Sequence, residues 1–456
     1  MNTNPTQNDA AAIQAIAQEL EQITGAEHLQ VWDKIESLCQ ARIAQAAPSC
    51  KIACLLFPQT AAELADIVTC AHQNQWGMIL AGSGSKLHWG GLIQSSPLTA
   101  HRSPLIAIST QRLNQLIDHA AGDLTVTVEA GMRFAELQAL LAKANQFLAI
   151  DPSYPQQATI GGIVATADTG SFRQRYQGVR DMLLGISFVR ADGNMAKAGG
   201  RVVKNVAGYD LMKLFTGSYG TLGMITQVTL RVYPLPEVSQ TVILSGDSDA
   251  IAEATRVLLS SALTPAHADV ISGSVMETLG LSLGMGLVVR FQSILPSVQE
   301  QMSRFAEVGR SLKLASASYT DGEDTQLWEQ LQKHMTASPQ SEQIICKIGI
   351  QPSSAISLLH ELHQLSLSSW SAQIHSASGL GRFICPSDVS LSHLLKIREI
   401  CQTNGGFLSI LQAPTVLKQQ IEVWGYAGNA LSVMRSLKQQ FDPHNLLNPG
   451  RFVGGI

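Results

Sequence analysis

The chain has 456 residues, too many for one ordinary core, so two or three domains are expected. Hydrophobic residues make up 45% and charged residues 14%, which describes a globular protein with a large interior. The net charge of −4, from 31 basic and 35 acidic residues, comes with no polybasic run, which excludes nucleic acid as an expected partner, and no apolar run approaches the roughly 18 residues of a membrane span.

The first residues, MNTNPTQNDAAAIQ, hold no basic residue and no apolar core, so no signal peptide is expected and the protein reads as cytoplasmic. Residues 9–46 are rich in Ala, Gln and Leu and predict helices, an amino-terminal extension over 1–47. The chain then alternates. KIACLLF predicts a strand, and PQTAAELADIVTCAHQNQ a helix opened by a capping box at Thr60 and Glu63. Leu64, Ile67, Val68 and Ala71 give that helix an apolar stripe. GMILAG is the next strand. LTVTVEAG alternates with period two, RFAELQALLAKAN returns to helical period, and FLAI predicts the close of a second β-α-β passage. From Asp151 to Gly200 glycine becomes dense and helical signals fade. LLGISFVRADGN predicts a strand entering an Asp-Gly turn, and MITQVTLRVYP a further strand. The prolines of YPLPEVSQ place a domain boundary near 236. Strands such as GLVVRFQSIL and QIICKIGIQP then alternate with helices such as SSAISLLHELHQLS and LSHLLKIREICQT, a second α+β domain over 237–456. LKQQFDPHNLLNPGRFVGGI predicts a helix and a Pro/Asn/Gly tail returning to the first domain.

Seven scattered cysteines form no C-x-x-C pair, so reduced thiols are expected, and neither disulfides nor an iron–sulfur cluster held by this chain alone. No metal site is expected: His360 and His363 in LHELH share a helix face without H-E-x-x-H spacing or a third ligand.

Three glycine-bearing segments point to a cofactor lying against the backbone. Gly82-Ser83-Gly84-Ser85 follows a strand directly, and successive backbone N–H groups there can cradle phosphate oxygens, with Lys86 adding charge. It lacks the third glycine and following helix of a Rossmann fingerprint and the Gly-Lys-Ser/Thr of a P-loop. Thr159-Ile160-Gly161-Gly162, Thr166 and Thr169-Gly170 supply small side chains suited to a planar ring edge-on to the chain. The third, Gly199–Pro234, threads Lys204, Tyr209 and Asp210 between glycines, contains GSYGTLGMIT and ends in a strand pattern. Arg173, Arg175 and Arg180 are anion-binding candidates, although any one alone is more often a surface ion pair.

These segments, in the order strand–GSGSK, DP-x-x-P-x-x-ATIGG-x-x-AT (Asp151, Pro152 onward), R-D-x-L-G, D-G, VVKNVAGYDLMKL and GSYGTLGMIT, resemble the PCMH-type FAD-binding domain of the vanillyl-alcohol-oxidase superfamily. The resemblance implies an α+β architecture: a PCMH-type FAD-binding domain of two α/β subdomains over 48–236, then a smaller α+β cap. It implies the pyrophosphate on Gly82 to Lys86, the isoalloxazine near Thr159 to Gly162 and Thr166 to Gly170, and the adenine end beside Gly223, Ile225 and Thr226. Many members attach the flavin through a histidine; Ser85 stands at that position, so FAD is expected to be non-covalent, with His88 structural. Within the superfamily the chain, including its FDPHNLLNPGRF tail, resembles the E-type flavoprotein subunits of bacterial glycolate oxidases. That implies oxidation of glycolate or D-lactate, a related flavoprotein D subunit and an iron–sulfur F subunit as partners, and a location in the cytoplasm or at the membrane only through that complex. The catalytic candidates are Arg173, Arg175, His375 and Arg382, as cations for a carboxylate and a base for a hydroxyl. Yet the G-D-G-N-x-H motif expected of the catalytic D subunit is missing, which leaves a non-catalytic FAD-binding or scaffolding subunit open, or another flavin oxidoreductase of this fold.

Overall fold

A computed structural model of the chain describes residues 7–94, 104–201, 208–281, 284–336, 338, 343–365 and 367–456. The first sheet holds β1 (Leu29–Val31), β2 (Ile52–Leu56), β3 (Met78–Ala81) and β4 (Leu105–Ser109) in the order β1-β2-β4-β3. β2, β4 and β3 run parallel, and every residue of β2 and β4 is buried, which is why both read as unbroken apolar runs. The helix Ala61–Gln73 lays Leu64, Ile67, Val68 and Ala71 on this sheet. Its Thr60 cap accepts from Glu63 N at 3.1 Å, while the Glu63 carboxylate accepts from Gln59 N at 2.9 Å. The amino-terminal segment is not purely helical: between Gln7–Thr24 and Ser37–Ala46, β1 pairs antiparallel to β2. Ile16 and Leu20 join the core beneath.

The second sheet is antiparallel. With β5 (Leu116–Ala120), β6 (Thr125–Glu129), β7 (Gln146–Phe147), β8 (Leu183–Val189), β9 (Met195–Gly199), β10 (Met224–Arg231) and β11 (Tyr233–Pro234), its order is β5-β6-β10-β8-β9. The expected second β-α-β passage does not form. Both edges of β6 are taken by β5 and β10, and among the described residues β7 pairs only with β11. Beyond Phe147 the backbone of Leu148 is satisfied by a side chain instead of a strand: Gln138 accepts from its N–H at 2.9 Å and donates to its carbonyl at 3.1 Å.

The third sheet, the largest, is also antiparallel: β12 (Val238–Gly246), β13 (His267–Ile271), β14 (Met285–Ser293), β15 (Ala315–Thr320), β16 (Ile344–Gly349), β17 (Ser371–His375), β18 (Leu380–Cys385) and β19 (Phe407–Gln412), ordered β15-β12-β14-β13-β17-β18-β16-β19. One face packs Val270, Ile374, Phe383, Cys346 and Ile410 into a core with the helices Ser248–Ser260, Leu295–Ser311, Ala355–His363 and Leu391–Thr403. Because side chains alternate, the residues between them share the other face. Register carries Asp269 opposite His375, Gln373 opposite Arg382, and Lys347 opposite both Arg382 and Ser409. The helix Asp321–Thr336 covers part of this face through Leu327, Leu331 and Met335.

After the helix Leu431–Phe441 the chain returns to the first sheet. Met78 N donates to Leu446 O at 2.7 Å, Asn448 N donates to Met78 O at 2.9 Å, and Leu447 bridges Met78 in parallel. The fully buried Asn448 accepts from Leu80 N and donates to Tyr219 O, which ties the tail to β3 and to the loop before β10.

Candidate active site

Turning straight out of β3, residues Gly82 to Lys86 form one wall of a cleft with about 660 Å³ of empty space, part of it open to solvent. The helix Ile160–Thr166 forms the opposite wall with Gly161, Gly162 and Thr166, and Gly223 and Ile225 close one side. Glycine is demanded here by close approach. A Cβ on Gly82 would stand 2.0 Å from Thr159 Oγ1, and one on Gly161 would stand 2.7 Å from Ala130 Cβ. Gly84 (φ +72°) and Gly162 are different: a Cβ there would meet only Arg42 Cδ at 3.9 Å and Thr159 Oγ1 at 3.0 Å. The open space in front of Gly84 is the kind of cradle a bulky planar or phosphate-bearing group fills, while Gly162 is held close to the Thr159 hydroxyl.

Arg451, Tyr219, Gly220 and Thr110 also line this cleft. Arg451 is buried and donates to the carbonyls of Leu87 (3.0 Å) and Lys86 (3.3 Å), bracing the glycine turn from the carboxy-terminal tail. The equally buried Lys418 donates to the carbonyls of His88 and Gly90 just beyond. Burial pushes the Lys418 ammonium down to about 7.

A second cavity, about 440 Å³, adjoins the cleft and shares Thr166 and Tyr219 with it. Its lining spans both domains: Trp89, Asp168, Thr169 and Arg173 from the first, Lys347, His375 and Arg382 from the third sheet. Asp168 joins the domains. It accepts from Lys86 Nζ at 2.8 Å, from Ser153 N at 2.7 Å and from Arg382 Nη2 at 2.9 Å. Burial alone would raise its carboxyl, but Lys86 and Arg382 outweigh that and hold it below the ordinary range. Both cations also lie 5.6 Å from the Trp89 ring.

Arg173 and Lys347 are different. Among the described residues neither enters an ion pair, and the carboxylate that lines the same cavity, Asp168, is already paired with Lys86 and Arg382. Burial, followed by the nearby Arg173, lowers the Lys347 ammonium to about 8. His375 completes the arrangement. Its Nδ1 lies 2.7 Å from Oδ1 of Asp269, which is fully buried and also bonded to Ser171 Oγ and Gln373 Nε2. A carboxylate held on Nδ1 fixes the tautomer that leaves the Nε2 lone pair free to take a proton.

Of the expected cofactor residues, Gly82, Ser83, Gly84, Ser85, Lys86, Thr159, Gly161, Gly162, Thr166, Gly223 and Ile225 line the cleft. The Lys86 ammonium, however, is committed to Asp168 rather than free for a phosphate. The remaining expected residues do not line the cleft. Asp151 accepts from Ser171 N (2.7 Å) and Phe172 N (3.3 Å) away from the cleft, shaping the 168–173 loop, and burial raises its carboxyl to about 6. Pro152 offers its carbonyl to Gln332, Ile160 and Thr226 turn inward, and Thr169 and Gly170 border other cavities. Gly170 must be glycine because a Cβ would stand 2.4 Å from the Asp151 carboxylate. Of the catalytic candidates, Arg173, His375 and Arg382 meet in the second cavity. Arg175 turns away to the Thr264 carbonyl at 2.9 Å. Tyr209 is 88% exposed, Asp210 pairs with Lys213, and Lys204 lies outside the described residues. His360 and His363 sit exposed on their helix. Sequence reasoning missed Lys347, Asp269, Asp168 and Arg451. A lone lysine in an apolar strand, QIICKIGIQP, was the visible signal for the first.

Comparison with known proteins gives the same cleft a class. Residues 52–199 match the FAD binding domain, and 420–452 match the C-terminal domain of FAD linked oxidases. The chain is therefore an FAD-binding flavoprotein, an FAD-linked oxidoreductase with the PCMH-type fold, and the glycine-walled cleft fits that cofactor. The fold is shared with p-cresol methylhydroxylase (14% identity, TM-score 0.72, covering 98% of this chain and 97% of that one) and alkyldihydroxyacetonephosphate synthase (16%, TM-score 0.73, 98% and 86%). Among curated proteins it is 24% identical to the glycolate oxidase subunit GlcD of Bacillus subtilis over 426 residues, 87% of this chain and 88% of the relative. It is 25% identical to a probable mitochondrial D-lactate dehydrogenase of Danio rerio, over 97% and 92%. It is 32% identical to the glycolate oxidase subunit GlcE of Escherichia coli over 179 residues, 39% of this chain and 48% of the relative.

Proposed function

We propose that this chain is the E-type FAD-binding subunit of a glycolate oxidase or dehydrogenase complex and oxidises glycolate or D-lactate to the 2-oxo acid. The observation that carries the reading is the second cavity, where Arg173 and Lys347 without ion-pair partners stand beside His375 on its Asp269 carboxylate. The substrate carboxylate binds between the two cations, and the 2-hydroxyl passes its proton to His375 Nε2. Asp269 orients the ring and stabilises the imidazolium that forms. Asp168, with Lys86 and Arg382, fixes the cap over the cofactor cleft. Bound non-covalently, FAD supplies the acceptor for the hydride that leaves C2. The electrons then go to a related flavoprotein subunit and an iron–sulfur subunit, in the cytoplasm or at the membrane through that complex. The residues assigned to FAD remain those of the cleft, with the FAD-binding domain proposed over 48–236 and the cap over 237–456.

A second reading, a non-catalytic FAD-binding or scaffolding subunit, is favoured by the missing G-D-G-N-x-H motif. Anaerobic reduction of the flavin by glycolate or D-lactate, in the isolated FAD-loaded chain and in the assembled complex, separates the two. The first reading expects bleaching of the isolated chain and a loss of about 10²–10⁴-fold in rate for His375→Asn. Bleaching only when the related flavoprotein is present, unaffected by His375→Asn, would leave the second.

A further inference from the structure

A third cavity, about 810 Å³, shares Thr169, His375 and Arg382 with the second and reaches the surface at Thr325 and Glu329, which are exposed. It thus runs from solvent to the histidine read as the base. One side of it carries a cluster of rings, and the rest of the lining is mostly polar. His267 sits between Phe172 and Trp328, its ring tilted to each and its centroid 4.2 Å and 4.4 Å from theirs, and Leu331 and Met335 add apolar surface. Two of the charged groups near this wall are already partnered, while His267 Nδ1 is buried with no hydrogen-bond partner among the described residues. Arg290 Nε donates to Asp324 at 2.9 Å, and Asp151 accepts two backbone N–H groups.

A methyl group or a hydrogen on C2 leaves this space almost empty. With the carboxylate held at Arg173 and Lys347 and the hydroxyl at His375, the remaining substituent on C2 points into the shared opening. We infer that the third cavity receives the side chain of the substrate, and that the preferred substrates are 2-hydroxy acids carrying a planar, largely apolar group such as an aryl ring. This rests on the oxidative reading of the second cavity and deepens it. The side chain lies along the Phe172–His267–Trp328 wall, and its far end reaches solvent between Thr325 and Glu329, so extra length is tolerated. The chemistry at C2 is unchanged: one proton to His375, one hydride to FAD, and a carbonyl formed.

The test uses the FAD-loaded full chain, alone and within its native complex. Two quantities are measured for glycolate, D-lactate and D-3-phenyllactate: the rate of anaerobic flavin reduction, and the dissociation constants of the products glyoxylate, pyruvate and phenylpyruvate, from perturbation of the flavin absorption spectrum. One methylene in an apolar pocket is worth about 10- to 200-fold, so kcat/KM for phenyllactate should exceed that for D-lactate by at least about tenfold, and phenylpyruvate should bind more tightly than pyruvate by a similar factor. Glu329→Trp, at an exposed position in the mouth, should abolish that preference. Oxidation of glycolate and D-lactate with phenyllactate equal or worse overturns the side-chain assignment and leaves the oxidative reading intact. Tight phenylpyruvate binding without reduction by any acid supports the aryl site and overturns the oxidative reading. Weak binding of all three products overturns both.

Discussion

Replacing Lys347 by methionine should weaken the substrate and strengthen the fold, and the opposition of the two effects is the point of the experiment. The side chain rises from β16 between Arg382 and Ser409, in an otherwise apolar strand, and lines the second cavity. Burial, then the charge of Arg173, takes its ammonium from 10.5 down to about 8. At about 1.36 kcal/mol per tenfold change in proton affinity, that difference of 2.5 is worth about 3.4 kcal/mol. Because Lys347 is only partly buried against an open cavity, screening reduces the figure to about 1–2 kcal/mol. The sign follows from the direction: below pH 8 the unfolded chain holds this proton more readily than the folded one, so the charge destabilises the fold. The penalty fades as pH rises from 8 towards 10.5. Methionine keeps most of the side-chain volume and removes the charge, so at pH 7 the variant should melt a few degrees higher. The same change removes a charge-assisted bond to the substrate carboxylate, worth roughly 1.5–3 kcal/mol, or about 10- to 100-fold in affinity. In the unaltered protein affinity should fall as pH rises through about 8, with bound carboxylate moving the midpoint upward, and the variant should be flat there. Scanning calorimetry and titration with the 2-oxo acid product check both arms. A variant that melts lower, or binds product as tightly as before, refutes the assignment of Lys347 as an uncompensated substrate cation.

The purified protein should be yellow and release intact FAD on acid denaturation, because serine occupies position 85; flavin retained on the denatured polypeptide would contradict this. Gly162→Val should abolish flavin binding in a fluorescence titration while the apoprotein keeps its far-UV circular dichroism, since the new side chain projects into the open cleft; full FAD occupancy would show the cleft to be an ordinary groove. Arg173→Ala should weaken product binding about tenfold or more, whereas Arg175→Ala, whose partner is the Thr264 carbonyl, should leave it unchanged; equal effects would place the carboxylate elsewhere. Lys86→Met removes one partner of a buried carboxylate and should cost about 3–5 kcal/mol in chemical denaturation; a loss below about 1 kcal/mol would mean that Arg382 alone compensates Asp168.

The strands and helices with one strong period were legible along the chain. KIACLLF, the capped helix after Thr60, and the LSHLLKIREICQT helix all form as their patterns require, because alternation and 3.6-residue spacing are local properties. FLAI was misread because an apolar run of four does not reveal whether a neighbouring edge is free, and here Gln138 supplies the missing partners. The amino-terminal segment was misread for the same reason: three residues of β1 gain their hydrogen bonds only from β2.

The glycine turns of the cofactor cleft could be read from sequence because glycine is required by backbone geometry within a few residues, and the ordered motifs around them are local too. Chemistry assembled from distant strands could not. Asp168, Lys86 and Arg382 belong to three separate segments, and only packing of the third sheet on the first domain turns two cations and a carboxylate into one buried joint. The same holds for Arg175, which sequence proximity put at the site and the direction of a short helix turned away. Lys347 and Asp269 carry no signal beyond being polar within apolar strands; register decided their role. A one-residue slip of β16 or β13 would bury the charge in the core and leave the cavity without its cation or its histidine without its carboxylate. Sequence alone thus determined the cofactor cleft, whose constraints are backbone constraints. Tertiary structure decided which side chains face the cavity beside it, because sheet register and domain packing are set by the whole chain.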